Sequence, residues 1–460
     1  MELKEKLLKT IGTIGSNYVI DPEVKRIGGQ EINHWNTTLL ALSYLLNQNA
    51  LLTGEPGFSK TTVAKVVSSV MSGYPLDLYE SAQIQGHPDQ TYETMIARLD
   101  FSKLNVQESV IWLSSAYLPL RIVDELQRLP EGKQEELLNV LETGRFNYLN
   151  ATFFTGKAPF FATVNYPDDG SSELKLIYSL RDRFAITLEL GYIGATYDGD
   201  IEEAVKRIDS DLKHKPTTDL ILEVVNDRDS TIAQRLQKMD YQRQDYRASL
   251  EQKLGFNSVF TSVEKERIQL EIEAIPLSTE ARVFLEMISS ELNSTPTYKR
   301  KRSSDQVDGS NWAKKLASSK TKNGLSPRTS LRGFKSYSKA LAYLSGEKSV
   351  SKFHLDALAP HVLGHKLRFT EDYKAEYRET QREGKYGFPL EMFLASKLVS
   401  QIEENYAAVK TDLDLVVHAH RDPNSLLSEH RERLEDLEMR RDEVGHPLIL
   451  EYLDRIRSMK

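Results

Sequence analysis

The chain contains no cysteine among its 460 residues. Disulfide bonds, thiolate metal sites and cysteine nucleophiles are therefore excluded, and the absence agrees with a reducing compartment. Long apolar runs are also missing, since no stretch approaches the roughly 18 apolar residues that a membrane-spanning helix requires. The charged first segment, MELKEKLLKT, lacks the apolar region of a secretory signal. We therefore expect a cytoplasmic protein without membrane insertion.

A large excess of one charge is absent as well. The 60 basic and 67 acidic side chains give a formal net charge of −7. This balance argues against a surface built as a whole to bind a polyanion, although a local basic patch could still contact nucleic acid. The length favours two or three domains, because single hydrophobic cores stop growing at roughly 250 to 300 residues.

Two hydrophobic patterns divide the chain. Between about residues 27 and 190, short apolar runs at 50–52, 120–123 and 160–164 alternate with helix-length segments. Such alternation predicts a parallel sheet wrapped by helices. Beyond about residue 200, apolar residues recur at helical spacing, so the remainder is predicted to be mostly helical.

Two later segments leave alternatives open. Residues 295–323 are polar and basic, which predicts a solvated surface loop, with nucleic-acid contact as the alternative. Leu427, Leu434, Leu437 and Val444 recur at the spacing of a short helix-pairing seam. Simple burial against a neighbouring helix explains them equally, because a coiled coil needs more heptads.

A glycine-containing loop follows the apolar run at 50–52 and precedes a helix-like segment. It consists of Gly54, Glu55, Pro56, Gly57, Phe58, Ser59, Lys60 and Thr61, with Thr62 next. In a P-loop of this form, backbone N–H groups and a helix N-terminus bind phosphates, while a lysine pairs with β- and γ-phosphate oxygens and a hydroxyl ligates Mg²⁺. Lys60 and Thr61 would take the last two roles. Ser59 departs from the strict motif, which has glycine there.

An acidic pair, Asp124 and Glu125, ends the apolar run at 120–123. An ATPase needs one carboxylate near Mg²⁺ and a second to polarise the attacking water, and the end of a neighbouring parallel strand places both beside the P-loop. We assign Asp124 to the metal and Glu125 to the base. A helix start is the alternative, since acidic residues favour helix N-termini. Arg121 is a charge inside this strand, and the sequence identifies no partner for it.

Two further polar positions follow. Asn165 ends the β-type run at 160–164 and could orient the attacking water, or it could simply end a strand. Arg183 precedes another β-type run and could reach the nucleotide of a neighbouring subunit, where a guanidinium stabilises transition-state charge. A surface ion pair with Asp182 is the alternative.

The order of these elements carries a resemblance. GEPGFSKT, RIVDELQR, FFATVN, SLRDRF and, later, GLSPRTS resemble the MoxR family of AAA+ ATPases in order and spacing, over about residues 27–369. The resemblance implies ATP and Mg²⁺ as cofactors. It implies a Walker A motif with Lys60 and Thr61 and a Walker B motif with Asp124 and Glu125, the aspartate binding Mg²⁺ through water.

The same resemblance assigns three outlying residues. Asn165 would be sensor 1, Arg183 the arginine finger offered to the adjacent subunit, and Arg328 sensor 2 on a helical lid. Residues 27–30 resemble the family's hinge near the adenine.

The resemblance also implies an architecture. The expected fold class is α/β, an AAA+ P-loop core with a parallel sheet over residues 1–195, followed by an all-α lid over 196–370 and a helical extension over 371–460. The lid would carry an insertion at about 211–261 in addition to the basic loop. A hairpin within about 85–117, including Phe101 and Trp112, is expected to face the pore of a ring, and a second hairpin is expected at about 146–158.

Members of the family are similar to chaperone-like remodelling factors. The resemblance therefore implies a homo-oligomeric ring, here expected to be a hexamer, that acts on a protein client, with a von Willebrand factor A domain protein as a candidate partner. A nucleic-acid motor and a metal-chelatase motor subunit remain open, since helicases of the minichromosome maintenance type and magnesium chelatase resemble this core too. The basic loop supports nucleic-acid binding, whereas the net charge opposes it.

This chain departs from the family pattern in several places. Gln127 stands where relatives usually have asparagine, and Ser59 replaces the usual alanine or glycine. The insertion at 211–261 and the tail after Phe369 are outside the resemblance, and we expect them to bind a partner or brace the ring. We expect hydrolysis to survive removal of 211–261, because no catalytic candidate lies there.

No second site is predicted. His418 and His420 would lie on different faces of a helix, which is typical of surface histidines rather than of a metal pair. Asp168, Asp169 and Gly170 are interpreted as a turn, because calcium ligands at later positions are missing.

Overall fold

The structure, a computed structural model, describes most of the chain in several stretches. These are residues 2–99, 110–149, 151–154, 156, 158–165, 176–293, 315–382, 390–440 and 446–459, with the backbone alone at 378–382. They form two compact units, one made of residues 1–275 and 339–348 and the other of 276–338 and 349–460. Several predictions lie outside the described residues, namely those for Phe101, Asp168 to Gly170, Val444 and most of the basic loop.

A five-stranded parallel sheet forms the centre of the first unit. Its strands are β3 (Ala50–Gly54), β4 (Ile84–Gln85), β7 (Arg121–Asp124), β10 (Phe160–Asn165) and β11 (Ile186–Glu189), and their spatial order is β11-β3-β10-β7-β4. The apolar runs at 50–52, 120–123 and 160–164 supply the central strands, as predicted, because strands covered on both faces read as continuous apolar runs. The register pairs Asn165 with Gly54 and Phe161 with Ala50.

Helices cover the sheet and continue after it. In the first unit they are α1 (Leu3–Asn17), α2 (Trp35–Leu45), α3 (Lys60–Ser72), α4 (Leu76–Ala82), α5 (Tyr92–Met95), α6 (Ser114–Tyr117), α7 (Glu131–Thr143), α8 (Tyr178–Arg181), α9 (Asp198–Arg207), α10 (Lys215–Asn226), α11 (Ile232–Gln242), α12 (Gln244–Leu254) and α13 (Ser262–Glu273). Helices α3 and α7 both end at a glycine with positive φ, Gly73 at 69° and Gly144 at 67°, the conformation that closes a helix with little strain.

Three antiparallel hairpins accompany the sheet in the part of the chain that the structure describes. They are β1–β2 (Val24–Ile27, Gln30–Asn33), β5–β6 (Ala97–Leu99, Val110–Trp112) and β8–β9 (Arg145–Tyr148, Ala151–Phe154). The predicted hairpins near 85–117 and 146–158 correspond to the last two. Aromatic residues of these two hairpins pack together, with the ring centroids of Trp112 and Phe153 5.4 Å apart. Tyr117 of α6 joins them, with its centroid 4.8 Å from that of Phe153. Trp112 is therefore buried between the hairpins.

The segment at 211–261 packs against α3. Tyr246 of α12 is 1% exposed, and its hydroxyl lies 2.8 Å from Ser69 Oγ. Ser258 Oγ donates to the Val70 carbonyl at 3.0 Å, and Phe260 N donates to the Met71 carbonyl at 3.0 Å. Removal of this segment would expose a buried face of α3, the helix that follows the P-loop. This packing argues against our expectation that hydrolysis survives the removal.

The second unit is built from helices in the part that the structure describes. They are α14 (Thr279–Asn293), α16 (Lys352–Leu363), α17 (Glu371–Arg382), α18 (Leu390–Arg421), α19 (Ser428–Met439) and α20 (Pro447–Met459), while α15 (Ser336–Ser345) is divided between the units. Leu434 and Leu437 are buried, whereas Leu427 is exposed, so the seam is reduced to local burial on α19. Together with the parallel sheet, these helices confirm the predicted fold class of an α/β core with a helical lid and a helical C-terminal part.

Neither a membrane-spanning helix nor a cluster of metal-ligating side chains occurs in the described stretches. Among those residues, no helix combines the length and apolar character needed to cross a membrane. Within the same residues, no group of three or more histidines and carboxylates could hold a metal ion. His418 contacts Ser425 Oγ at 2.9 Å instead.

Candidate functional site

The P-loop connects β3 to α3. Gly54 has φ 145°, and a Cβ there would lie 2.1 Å from the Leu190 carbonyl oxygen, so only glycine fits. Gly57 has φ 88° with open space around it. Ser59 adopts φ 53° and ψ 15° immediately before the first residue of α3. A serine therefore occupies the left-handed conformation for which the strict motif uses glycine.

Lys60 is held over this loop. Its Nζ donates to the Gly54 carbonyl at 2.8 Å and to the Glu55 carbonyl at 2.6 Å. Burial lowers the pKa of Lys60, and the nearby carboxylates of Asp124 and Glu125 oppose that effect. The ammonium thus lies at the N-terminus of a 13-residue helix, where a phosphate would also meet unpaired backbone N–H groups.

Asp124 joins the P-loop to the central strands. Its Oδ1 accepts hydrogen bonds from Thr61 Oγ1 at 2.5 Å and from Thr163 Oγ1 at 2.6 Å. Gln83 Nε2 donates to the other oxygen at 3.2 Å. A hydroxyl and a carboxylate in contact are hard oxygen donors of the kind that Mg²⁺ takes directly or through water.

Glu125 lies next to it with both carboxylate oxygens engaged. Asn165 Nδ2 donates to Oε1 at 3.0 Å. On the other oxygen, Gln85 Nε2 lies at 3.2 Å and the Arg128 guanidinium at 3.0 Å. The backbone of Glu125 is left-handed, with φ 51° and ψ 48°, a strained conformation for a residue other than glycine.

Parallel topology explains why these residues meet. The P-loop, the acidic pair and Asn165 all follow the carboxyl ends of strands that are neighbours in the sheet, and such ends share one edge. Sequence reasoning missed Thr163, Gln83, Gln85 and Arg128. Thr163 lies inside an apolar run, and β4 has only two residues, so neither gave a motif.

Arg183 lies at the opposite edge. Asn49, which precedes β3, donates to the Arg183 carbonyl at 3.1 Å and accepts from Phe160 N at 3.0 Å. Five residues separate Asn49 from Gly54, which corresponds to roughly 16 Å at about 3.3 Å per residue. The Arg183 guanidinium forms ion pairs with Glu142 of α7 and with Asp182, the latter at 3.4 Å. The structure therefore does not bring Arg183 to the P-loop of its own chain.

Further residues singled out in the sequence are Arg328, Thr62, Phe58 and Gln127. Arg328 belongs to the second unit, directly before the π-helical turn Thr329–Lys335, while the P-loop belongs to the first. Thr62 is exposed on the first turn of α3, and Phe58 contacts Tyr192 edge-on, with centroids 6.4 Å apart. Gln127 is buried, and neither its amide oxygen nor its amide nitrogen has a hydrogen-bond partner within the described residues.

The structure supplies partners for Arg121. Its guanidinium donates to the Ala116 carbonyl at 3.1 Å and lies over the rings of Phe146 and Phe160, at 4.7 and 5.4 Å from their centroids. Complete burial lowers the pKa of Arg121 to about 9. Arg121 thus connects β7 with the β8–β9 hairpin.

Known families and structures match parts of this chain. The AAA domain (dynein-related subfamily) matches residues 49–184, and the AAA lid domain matches residues 313–384. A crystal structure from Cytophaga hutchinsonii ATCC 33406, described as that of a "putative ATPase", is similar with 16% identity and a TM-score of 0.52 over 83% of this chain and 92% of that one. That likeness concerns the fold. No curated protein matches the chain.

The matched AAA domain includes every described residue of the P-loop, the acidic pair and Asn165. The matched lid includes Arg328. The chain thus has the AAA+ fold, with an AAA domain that carries the P-loop site and, later in the sequence, an AAA lid domain.

Proposed function

We propose that this chain is a Mg²⁺-dependent ATPase that converts ATP to ADP and phosphate. The observation that carries the proposal is the meeting of three motifs at one sheet edge, where Thr61 contacts Asp124 and Asn165 contacts Glu125. If these contacts only stabilised the fold, they would not need to lie beside a P-loop. The combination fits phosphoryl transfer, in which positioning and electrostatics do most of the work.

Each residue has a role that follows from its position. The N–H groups at the start of α3 bind phosphate oxygens, and Lys60 exchanges its carbonyl partners for them. Thr61 and Asp124 would hold Mg²⁺, and the ion when bound would supply charge that offsets that of the phosphates. Glu125 accepts a proton from the attacking water, and Asn165 orients that water.

The proposal extends to a ring of the MoxR type, here a hexamer. Arg183 lies at the sheet edge opposite its own P-loop, where its carbonyl accepts a hydrogen bond from Asn49. A catalytic role for Arg183 therefore requires the nucleotide of an adjacent subunit. Arg328 acts as sensor 2 on the lid. Both assignments agree with the resemblance in motif order.

The ring acts as a chaperone-like motor that remodels a protein client in the cytoplasm, with a von Willebrand factor A domain protein as the candidate partner. The negative net charge supports a protein client over a polyanion. ATPase assays with added single- and double-stranded DNA separate the two, because a nucleic-acid motor would be stimulated whereas the proposed motor would not.

Glu125→Gln tests the proposed chemistry. The amide keeps the shape of the side chain but cannot act as a base, so nucleotide affinity should be retained while turnover falls by about 10² to 10⁴. Binding is measured with a fluorescent ATP analogue and turnover by phosphate release. Glu135→Gln removes the same charge from the exposed face of α7 and serves as the matched control. Equal loss of binding and turnover would make Glu125 structural and overturn the proposal.

A further inference from the structure

The guanidinium of Arg183 is paired within its own chain through both terminal nitrogens. NH2 pairs with Glu142, and NH1 lies 3.4 Å from an oxygen of Asp182. The side chain of Arg183 is 16% exposed and that of Glu142 is 32% exposed, so this contact lies near the surface without being fully solvated. The two carboxylates thus occupy the nitrogens with which an arginine makes a two-point contact to a phosphate.

The two acids differ in what they attach Arg183 to. Asp182 is its chain neighbour, so it moves with the same loop. Glu142 belongs to the last turn of α7, two residues before Gly144, where the helix ends and the β8–β9 hairpin begins. Glu142 is therefore the partner that fixes Arg183 to a different structural element.

A carboxylate and a phosphate compete for the same N–H groups. While NH2 is paired with Glu142, the guanidinium can offer a phosphate of an adjacent subunit at most part of its donor edge. The backbone of Arg183 is already anchored through its carbonyl to Asn49. Release from Glu142 is thus the step that detaches the guanidinium from another structural element, whereas Asp182 moves with the same loop.

We propose that Glu142 is a positioning residue that withholds Arg183 from the neighbouring nucleotide, so that breaking this ion pair contributes to the barrier of each turnover. The inference rests on the proposed function, in which Arg183 acts in an adjacent active site. Arg183 exchanges the Glu142 carboxylate for phosphate oxygens as the ring becomes active.

Glu142→Gln tests the inference in the full-length ring. The amide retains the size of the side chain and lacks its charge, so kcat should rise about twofold to fivefold, equivalent to about 0.4 to 1 kcal/mol for a partly exposed ion pair. KM for ATP should stay unchanged, because the neighbour's P-loop is untouched. Glu142→Asp keeps the charge on a shorter side chain and should raise kcat less. Glu135→Gln on the same helix should have no effect.

Combining variants separates the two hypotheses. Arg183→Ala alone should lose most turnover, and adding Glu142→Gln should give no gain, because no guanidinium remains to be released. If Arg183→Ala keeps normal turnover, the proposed role of Arg183 fails. If Arg183→Ala is inactive but Glu142→Gln has unchanged or lower kcat in assembled rings, Arg183 keeps its role and the inference about Glu142 is overturned. Ring assembly is checked by light scattering, and Glu142→Asp carries the test if Glu142→Gln does not fold.

Discussion

Two residues of the site, Ser59 and Glu125, have a left-handed backbone although neither is glycine, with φ 53° and 51°. For an L-residue this conformation costs roughly 1 to 2 kcal/mol. In both cases the strain sits beside the proposed phosphate and water positions, where strained backbone is often retained for function. Ser59 immediately precedes α3 and so sets the direction of the helix N-terminus, while Glu125 turns the chain directly after β7.

Ser59→Gly should relieve this strain. Glycine loses more conformational freedom on folding, by roughly 0.5 to 1 kcal/mol, so the expected net gain in the free energy of unfolding is about 0.5 to 1 kcal/mol. Urea unfolding measures the change, and Ser59→Ala is the control because it keeps a Cβ. A glycine variant no more stable than the alanine variant would show that this backbone is not strained.

At the scale of elements, helix α3 connects the proposed site with the segment at 211–261. It begins with Lys60 and Thr61 at the site, and near its end Ser69 lies 2.8 Å from the hydroxyl of Tyr246. Ser69 Oγ donates to the Tyr74 carbonyl at 2.8 Å, so Tyr246 is the donor in the shared hydrogen bond. The segment at 211–261 therefore supports the P-loop helix from its distal end.

Tyr246→Phe removes that hydrogen bond while keeping the buried ring. The free energy of unfolding should fall by about 0.5 to 1.5 kcal/mol, the usual net contribution of one buried hydrogen bond. Thermal and urea unfolding measure the loss. Tyr241→Phe is a matched control, because Tyr241 on α11 is 75% exposed and its change should be close to zero. Equal stability of the two variants would mean that α12 does not stabilise α3 through Ser69.

At the scale of the whole molecule, the proposed role of Arg183 would make the active site one shared between adjacent subunits. Arginine fingers contribute on the order of 10³ to 10⁵ in rate, or about 4 to 7 kcal/mol of barrier. A surface ion pair contributes about 0 to 1 kcal/mol. Arg183→Ala should therefore retain ATP binding and lose far more turnover than a lost ion pair could explain.

Mixing two inactive variants tests the sharing directly. A Lys60→Ala subunit has a disabled pocket and an intact Arg183, whereas an Arg183→Ala subunit has a usable pocket and no finger. In mixed rings the first can complete the pocket of the second, so ATPase activity should rise above that of either parent. Activity is measured after subunit exchange has been verified. Absence of recovery in confirmed mixed rings would place the effect of Arg183 within its own chain.

Sequence by itself determined the parts of this protein whose chemistry is local. A P-loop needs consecutive residues between a strand and a helix, so residues 54–61 could be located before any tertiary contact was known. The continuous apolar runs likewise predicted the central strands and the parallel sheet. Asp124, Glu125 and Asn165 were found because each directly follows such a run.

Only the tertiary structure decided which distant residues meet. Gln85 reaches Glu125 because strand order and register place β4 beside β7, and the local spacing of residues cannot predict either property. The partners of Arg121 include the Ala116 carbonyl and two aromatic rings from a hairpin and a neighbouring strand, which matching of opposite charges in the sequence could not identify. The edge of the sheet at which Arg183 lies follows from the direction of β11, which runs parallel to β3, and its ion pair with Glu142 depends on where α7 ends. Topology rather than composition sets which ends of parallel strands face the ligand.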